Sequence, residues 1–415
     1  MLFKPRLFIL VLGWTAIGLA QTDKPVCDNI ANYKDVIRCA VEIHPDAEQA
    51  RLLLKQNENL IGVAEQRPNP EIDSQILGGK SGDDNYQYTQ INLAHTFELG
   101  GKRDARIRRS EIQLKSSGFD LKLVQEQVYL RTYLALIRLR QISSEISVYD
   151  DALSTFGRIQ KQYQSRPRMT PEQKATYAIM DIAANDYRLR RRPLLNEIRE
   201  NERFIAMAIG RKFDVRKDFL PPFRKKWPVI ASAGQTDLTR SLTLQKSLSD
   251  LELAQAELKE AESLSWPDLK LGPTVETQTQ GSQKMNSFGL NLSFAIPLFH
   301  TNGAGKSYAS AGVHRAQLSL ERSKSIEQQQ LQLQVEKYKD AVKSLEESLS
   351  SADLDKKHRD VEGSFSTGII PSSLVIEIHR QMADYMKSLS EQENSAIEAL
   401  ARIYSIEGRL LTEGL

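Results

Sequence analysis

The stretch from Trp266 to Gly305 constrains the fold most, because its side chains alternate between apolar and polar over two strand-length arms. A period of two is the pattern of a β-strand with two unlike faces. The polar Gly281-Ser282 pair between the arms predicts a hairpin. The apolar row of the second arm comprises Phe288, Leu290, Leu292, Phe294, Ile296 and Leu298. Each arm has about the length of a transmembrane strand, although a half-buried hairpin of a soluble protein has the same pattern.

A second copy of this pattern lies in the first half of the chain, from Tyr88 to Leu99. A shift of 199 positions places Ile91 on Leu290, and the rest of the apolar row follows except at His95. Self-similarity of this kind is the sign of an internal repeat. The chain is therefore predicted to be a tandem duplication in which each half carries one hairpin between long helices.

The predicted division of the chain follows from this repeat. Residues 1–20 form a signal peptide, and an irregular connection rich in proline occupies 212–236. The first structural repeat, 21–211, contains a hairpin at 69–99 and long helices at 103–164 and 172–210. The second structural repeat, 237–415, contains a hairpin at 267–298 and long helices at 303–363 and 372–408. Apolar side chains on the two longest helices step by four and three, which predicts coiled-coil packing.

The first twenty residues predict export. Lys4 and Arg6 precede a short apolar run, and small residues stand before Gln21, as in a secretory signal peptide. Beyond this run no apolar segment is long enough for a helical membrane span. Basic and acidic residues number 56 and 53, so the chain lacks the basic footprint of a nucleic-acid-binding protein. We find no catalytic constellation and expect neither an enzyme nor a bound cofactor.

Cysteine and histidine residues give few further signals. Cys27 and Cys39 are the only cysteines, and either a disulfide or two free thiols is compatible with their position. No histidine has another histidine four residues away or a cysteine nearby, so no metal site is expected. The histidines are His44, His95, His300, His314, His358 and His379.

Four strands cannot form a closed barrel. An open sheet edge leaves backbone groups unpaired, which costs several kcal/mol each in hydrocarbon, and transmembrane barrels begin at about eight strands. If the hairpins cross a membrane, several chains must share one barrel. Two copies would supply eight strands and three would supply twelve, and the strand count itself leaves the choice open.

The order of these motifs resembles the TolC family of bacterial outer-membrane efflux proteins. The resemblance covers nearly the whole mature chain and rests on the strand entries PNPEI and WPDL, the exit IPLFHTNGAG, and the FSTG turn followed by LVIE. The segment FELGGKR at 97–103 is similar to the heavy-metal (CzcC-like) branch. The resemblance implies a homotrimer, mainly α, whose twelve-stranded transmembrane β-barrel continues as a long α-helical coiled-coil barrel in the periplasm. It further implies docking to a periplasmic adaptor (membrane fusion protein) and an inner-membrane pump.

The resemblance also suggests positions for the working parts of a channel. Gly368 would lie in the turn at the periplasmic tip, and the candidate constriction residues are Glu377, Leu374 and Glu172. The expected joints between strand and helix are Pro297, Gly303, Gly305, Gly100 and Gly101. Gly305-Lys306-Ser307 has the look of a phosphate loop but lacks its first glycine, so we interpret it as part of such a joint.

Three functions are compatible with these features of the sequence. The leading one is the outer-membrane channel of a tripartite efflux pump of the RND type, a passive duct with heavy-metal cations as candidate cargo. A drug-efflux or type I secretion channel is the alternative within the class. A periplasmic coiled-coil adaptor is the alternative from another class, but an adaptor would carry one helical hairpin within a β-rich chain.

Overall fold

The computed structural model describes residues 27–230, 237–367 and 369–415. The predicted signal peptide and the predicted turn residue Gly368 lie outside the described residues. The first half contains α1 (Tyr33–Ile43), α2 (Pro45–Glu65), β1 (Glu71–Ser81), β2 (Asp84–Phe97), α3 (Lys102–Gln164) and α4 (Pro171–Ala208). The second half contains α5 (Leu242–Ser263), β3 (Leu269–Gln280), β4 (Gln283–Phe294), α6 (Gly303–Glu346), α7 (Ser351–Ser366), α8 (Ser372–Ile406) and α9 (Leu410–Glu413).

The two hairpins form one antiparallel sheet in the order β1-β2-β3-β4. The central pair joins the two halves of the chain, since β2 belongs to the first hairpin and β3 to the second. Thr89 faces Thr277 in this pair, and Gln90 faces Glu276. The prediction of a mainly helical chain with four strands from two hairpins is therefore confirmed. Strands β1 and β4 lie at the two edges of the sheet.

The helix predicted at 303–363 is in fact two helices, α6 and α7, with a break at residues 347–350. The break follows from a serine-rich sequence, because serine hydroxyls compete for backbone groups. The Ser348 hydroxyl donates to Leu345 O at 2.6 Å, and the Ser350 hydroxyl accepts from the amide of Asp353 and caps α7. Leu349, which the heptad pattern placed in the packed stripe, lies in the break and is 42% exposed.

The longest helix is α3, with 63 residues and a length of about 95 Å at ~1.5 Å per residue. It runs without interruption over the predicted span. Pro193 lies inside α4, which continues on both sides of it. Within the described part of the chain, no helix has both the length and the apolar composition to cross a membrane.

The largest group of buried apolar side chains surrounds the middle of α3. Leu136 is fully buried there and packs in one cluster with Val36 of α1, Ile205 of α4 and Ile397 of α8. Burying one such side chain stabilises the fold by about 1.5–3 kcal/mol. Since α8 belongs to the second half of the chain, the two halves share this core.

The connection between the halves packs onto both of them. Phe219 is buried in the cluster around α3, whereas the Trp227 ring lies 6.2 Å from the ring of Tyr338 on α6. The Tyr338 hydroxyl donates to the carbonyl of Pro228 at 2.7 Å. At the N-terminal end, a disulfide joins Cys27 to Cys39 of α1, the first of the two states that the sequence left open. These contacts hold the irregular segments against the helices.

A buried ionic contact also joins α3 to α8. The Arg140 guanidinium donates to the Glu393 carboxylate, whose side chain is 3% exposed, and to the carbonyl of Pro221 at 2.9 Å. Gln141 Nε2 donates to the same carboxylate at 3.0 Å. Each charge depends on its partner, because an uncompensated buried charge is strongly unfavourable.

We predict that Arg140→Met destabilises the protein by about 3–5 kcal/mol, because Glu393 is left as an unpaired buried carboxylate. Arg199→Met removes a guanidinium from an exposed position on α4 and should change stability little. Urea unfolding of the purified proteins gives both values. The double variant Arg140→Met/Glu393→Met should recover most of the loss, and a double variant as unstable as Arg140→Met would contradict this explanation.

Candidate functional site

The four-stranded sheet has one apolar and one polar face. Residues directly opposite each other on neighbouring antiparallel strands point to the same side of a sheet. One row across the sheet contains Ile91, Val275 and Phe288, with Ser74 at the β1 edge. The adjoining row carries polar side chains on all four strands, namely Gln75, Gln90, Glu276 and Ser287. The two hairpins therefore place their apolar rows on the same side, and an extended apolar surface backs a polar one.

The apolar face is highly exposed in the single chain. Phe288 is 83% exposed, Leu290 78% and Leu292 60%. Contiguous apolar surfaces of this kind mark sites that contact another protein or a membrane. His95, which interrupts the apolar row in the sequence, faces Leu271 on this side and packs edge-on against the Phe97 ring at 4.9 Å.

The polar face is held together by hydrogen bonds between strands of different hairpins. Gln90 Nε2 donates to Glu276 Oε1 at 3.1 Å, and the Thr274 hydroxyl donates to Asn92 Oδ1 at 2.5 Å. Asn92 is only 6% exposed, and its Oδ1 accepts this hydrogen bond within the sheet. This face offers hydroxyl, amide and carboxylate groups, which suit contact with water and ions.

The first strand-to-helix joint contains two consecutive glycines. Gly100 and Gly101 both adopt positive φ values, 72° and 73°, and Gly101 is the N-cap of α3. A Cβ on Gly100 would lie 2.4 Å from the side chain of Trp266, so the glycine lets the two entry segments approach each other. Lys102 Nζ then pairs with Asp268 Oδ1 at 2.6 Å. Together these contacts join the exit of the first hairpin to the entry of the second.

Neighbouring residues of the same segment strengthen this joint. The two terminal guanidinium nitrogens of Arg106, on α3, donate to the two carboxylate oxygens of Glu98. Arg106 also donates to the carbonyl of Gln66 at 3.3 Å. Arg103 Nε donates to the carbonyl of Glu65 at 2.9 Å. The segment FELGGKR, which suggested the heavy-metal branch, thus has a structural explanation in the joint itself.

The second joint depends on a residue that the sequence analysis did not single out. Asn302 is the N-cap of α6 and has a φ of 51°, while its side-chain amide donates to the carbonyl of Ala261 at 2.7 Å. Gly303 begins α6, and a Cβ on Gly305 would lie 2.3 Å from the Asn302 side chain. Pro297 lies in the irregular segment after β4. Asparagine is the non-glycine residue that most readily adopts this left-handed conformation, which was the available signal.

The candidate constriction residues lie at the beginning of equivalent helices. Glu172 stands in the first turn of α4, and Leu374 and Glu377 stand in the first two turns of α8. Leu374 is 47% exposed, and Glu172 is exposed as well. Their common position at helix starts is compatible with a ring at one end of an assembly, which stays a prediction.

Glu377 has partners of its own on α8. Arg380 donates to its two carboxylate oxygens at 2.6 and 3.0 Å, and Gln381 Nε2 donates to one of them at 2.8 Å. These hydrogen bonds, with those from Arg380 foremost, lower the pKa of Glu377 to about 2. Arg380 also lies 3.5 Å from Asp384. The two carboxylates and the one guanidinium of this group sum to one net negative charge at neutral pH.

Two histidines that the sequence analysis dismissed lie in contact. His358 Nε2 and His379 Nε2 are 3.0 Å apart, although no metal site was expected from the histidine spacing. The sequence did contain a signal for this contact. His358 and His379 stand at almost equal distances along the chain from the turn between α7 and α8. The arms of a helical hairpin place such residues side by side. Spacing within one helix could not reveal this.

Comparison with solved structures identifies the fold. A scan against models of protein families and a search of curated proteins gave no match. The MtrE outer-membrane channel of Neisseria gonorrhoeae, in its open state, matches at 13% identity with a TM-score of 0.71, over 91% of this chain and 89% of that one. At such identities the likeness establishes the fold.

Two further channels match over nearly their whole length. The CmeC outer-membrane channel of Campylobacter jejuni matches at 12% identity with a TM-score of 0.66, over 97% of this chain and 94% of that one. CusC, from a study of transmembrane channel formation, matches at 13% identity with a TM-score of 0.64, over 91% and 92%. This chain therefore folds as outer-membrane channel proteins do.

The joint generates a prediction with a closely matched control. Alanine at either Gly100 or Gly101 is strained by the positive φ, at about 1–2 kcal/mol. Only Gly100→Ala also collides with Trp266, since nothing lies within 4 Å of a Cβ at Gly101. We expect Gly100→Ala to lower the thermal unfolding midpoint clearly more than Gly101→Ala. Equal midpoints for the two variants would show that the contact with Trp266 does not stabilise the joint.

Proposed function

We propose that this chain is the outer-membrane channel of a tripartite efflux pump, a passive duct for substrates leaving the cell. The observation that carries the proposal is the two-faced sheet, with an apolar row through Ile91, Val275 and Phe288 behind a polar row. An apolar outer face and a polar interior are what a transmembrane barrel requires. The fold shared with MtrE and CmeC supports the same reading, and a duct of this kind needs no catalytic residues.

The working unit is proposed to be a homotrimer. Strands β1 and β4 have free edges within one chain, and a sheet edge in hydrocarbon leaves costly unpaired backbone groups. Pairing β4 of one copy with β1 of the next removes every edge when the ring closes. Three copies give a twelve-stranded barrel, and the family resemblance of the sequence favours this number. The long helices would continue the duct as an α-helical barrel in the periplasm.

The location and partners follow from the same proposal. The predicted signal peptide would export the chain, and the sheet would lie in the bacterial outer membrane. The helices α3, α4, α6, α7 and α8 would extend into the periplasm. There the tip would meet a periplasmic adaptor and, through it, an inner-membrane pump that supplies the energy.

The cargo is a separate question. Heavy-metal cations were suggested by the segment 97–103, but Gly100, Lys102 and Arg103 serve the joint, where they bind other parts of the chain. The segment therefore carries no cargo chemistry of its own. Metal cations, drugs and secreted proteins remain the candidate cargoes, and transport by cells that lack or carry the gene would distinguish them.

An adaptor function fits the fold less well. An adaptor would have one helical hairpin within a β-rich chain, whereas here two strand hairpins lie between long helices. The exposed row of Phe288, Leu290 and Leu292 would also have no counterpart in a protein that works in water. The channel is therefore the better supported of the two functions.

The proposed orientation of the sheet is tested by neighbouring substitutions on β4. Leu292 would face lipid and Asn291 would face the lumen. Leu292→Arg should destabilise insertion by about 2–4 kcal/mol if it lies near the bilayer midplane, whereas Asn291→Arg should be tolerated. The amount of assembled protein in the outer membrane measures both. Equal yields for the two variants would contradict the orientation.

Single-channel recording of the reconstituted protein tests both the duct and its constriction. A carboxylate ring attracts cations, so Glu377→Ala should reduce cation selectivity and Arg380→Gln should increase it. The exposed acid Glu391, farther along α8, supplies the control variant Glu391→Ala. Because the pKa of Glu377 is lowered to about 2, its contribution should persist in wild type as the pH falls from 7 to 4.

Two outcomes would count against these assignments. Protein that assembles and inserts but never conducts would overturn the channel proposal. Unchanged selectivity and conductance in an assembled Glu377→Ala variant would remove Glu377 from the constriction and leave the channel proposal intact.

A further inference from the structure

Four metal-ligating side chains from three helices converge where α7 packs against α3 and α8. They are Asp151 of α3, His358 and Glu362 of α7, and His379 of α8, and their ligand atoms all lie within 4.8 Å of one another. His358 and Glu362 are four residues apart on one helix, so they share a face. The other two ligands come from two different helices that meet this face.

The separations are those of a small coordination sphere. His358 Nε2 lies 3.0 Å from His379 Nε2 and 3.5 Å from Asp151 Oδ2. Glu362 Oε1 lies 3.7 Å from His358 Nε2 and 3.8 Å from His379 Nε2. A tetrahedral zinc ion with bonds of about 2.0–2.2 Å has its ligand atoms roughly 3.3–3.6 Å apart. The four groups thus need only small movements to surround one ion.

The surrounding contacts orient the ligands as an outer shell would. His379 Nδ1 lies 2.7 Å from the carbonyl of Val375, which can only accept, so Nδ1 carries the proton and Nε2 presents its lone pair. Thr155 Oγ1 donates to Glu362 Oε1 at 2.7 Å and fixes that carboxylate.

The packing of α7 is shallow enough for a bound ion to add to it. Among the described side chains of this helix, only His358 is buried. The larger apolar side chains of α7 are partly buried, and Phe365 packs against the cluster around Phe156, so a bound ion would strengthen an existing attachment. Asp151 is 50% exposed and Glu362 26%, so an ion can reach the cluster from solvent.

We propose that Asp151, His358, Glu362 and His379 form a site for one divalent transition-metal ion of the Zn²⁺ class, which ties α7 to α3 and α8. Nitrogen and carboxylate ligands in a compact tetrahedral arrangement suit Zn²⁺ and its analogue Co²⁺. The site is resident and structural, and it does not depend on what the proposed channel transports. The competing arrangement is a metal-free pair in which one imidazole donates to the other.

Metal binding to the full-length, detergent-purified protein decides between the two. The protein is prepared with a tag that contains no histidine, treated with a chelator, and titrated with Co²⁺ and then Zn²⁺. We expect one Co²⁺ per chain with the intense visible absorption of tetrahedral cobalt, which Zn²⁺ abolishes by displacement. Zn²⁺ should also raise the thermal unfolding midpoint, because a ligand that binds only the native state stabilises it.

The variants avoid the fully buried His379, whose replacement could prevent folding. His358→Gln and Glu362→Gln should each weaken metal binding at least about tenfold and remove the thermal shift. His314→Gln on α6 and Asp355→Asn on α7 change exposed residues of the same types and should leave both unchanged.

Absence of stoichiometric binding, an octahedral cobalt spectrum, or equal affinity in Glu362→Gln and wild type would each overturn the metal site. None of these results bears on conductance, so the channel proposal stands or falls separately.

Discussion

The pairing of β2 with β3 is the interaction on which the rest of the architecture depends. It is the backbone pairing that joins the two hairpins into one sheet, and it aligns the two halves of the chain in one register. A slip of one residue would turn every side chain of one hairpin to the other face. With Gln90 opposite Glu276 and Ile91 opposite Val275, like faces meet like faces across the repeat boundary.

The joint beneath the sheet transmits this alignment to the helices. Gly100 admits Trp266, and Lys102 pairs with Asp268, so the exit of one hairpin is fixed to the entry of the next. Farther along, the buried contact of Arg140 with Glu393 joins α3 to α8. The halves are thus connected at several levels, in the sheet, at the joint and along α3.

The sequence predicted those features that repeat with a regular period. Alternation from Phe288 predicted strand β4, which ends at Phe294 although the alternation continues to Leu298. A long run without proline predicted α3, and each of these signals depends on local geometry alone. The break between α6 and α7 was missed since leucine spacing continued through Leu349 while the serines around it favoured capping. The His358–His379 contact was missed because it arises from folding α7 back on α8, and Asn302 because its role lies in one backbone angle.

The break at residues 347–350 has a mechanical consequence. After its hairpin, the first repeat has one continuous helix, α3. The second repeat has two shorter helices in the same place, α6 and α7, joined by a capped turn. In the proposed trimer, continuous and interrupted helices would alternate around the wall of the α-helical barrel. Bending would concentrate at three points, so any widening of the tip would keep threefold and not sixfold symmetry, and the duplicated halves of each chain would differ in compliance.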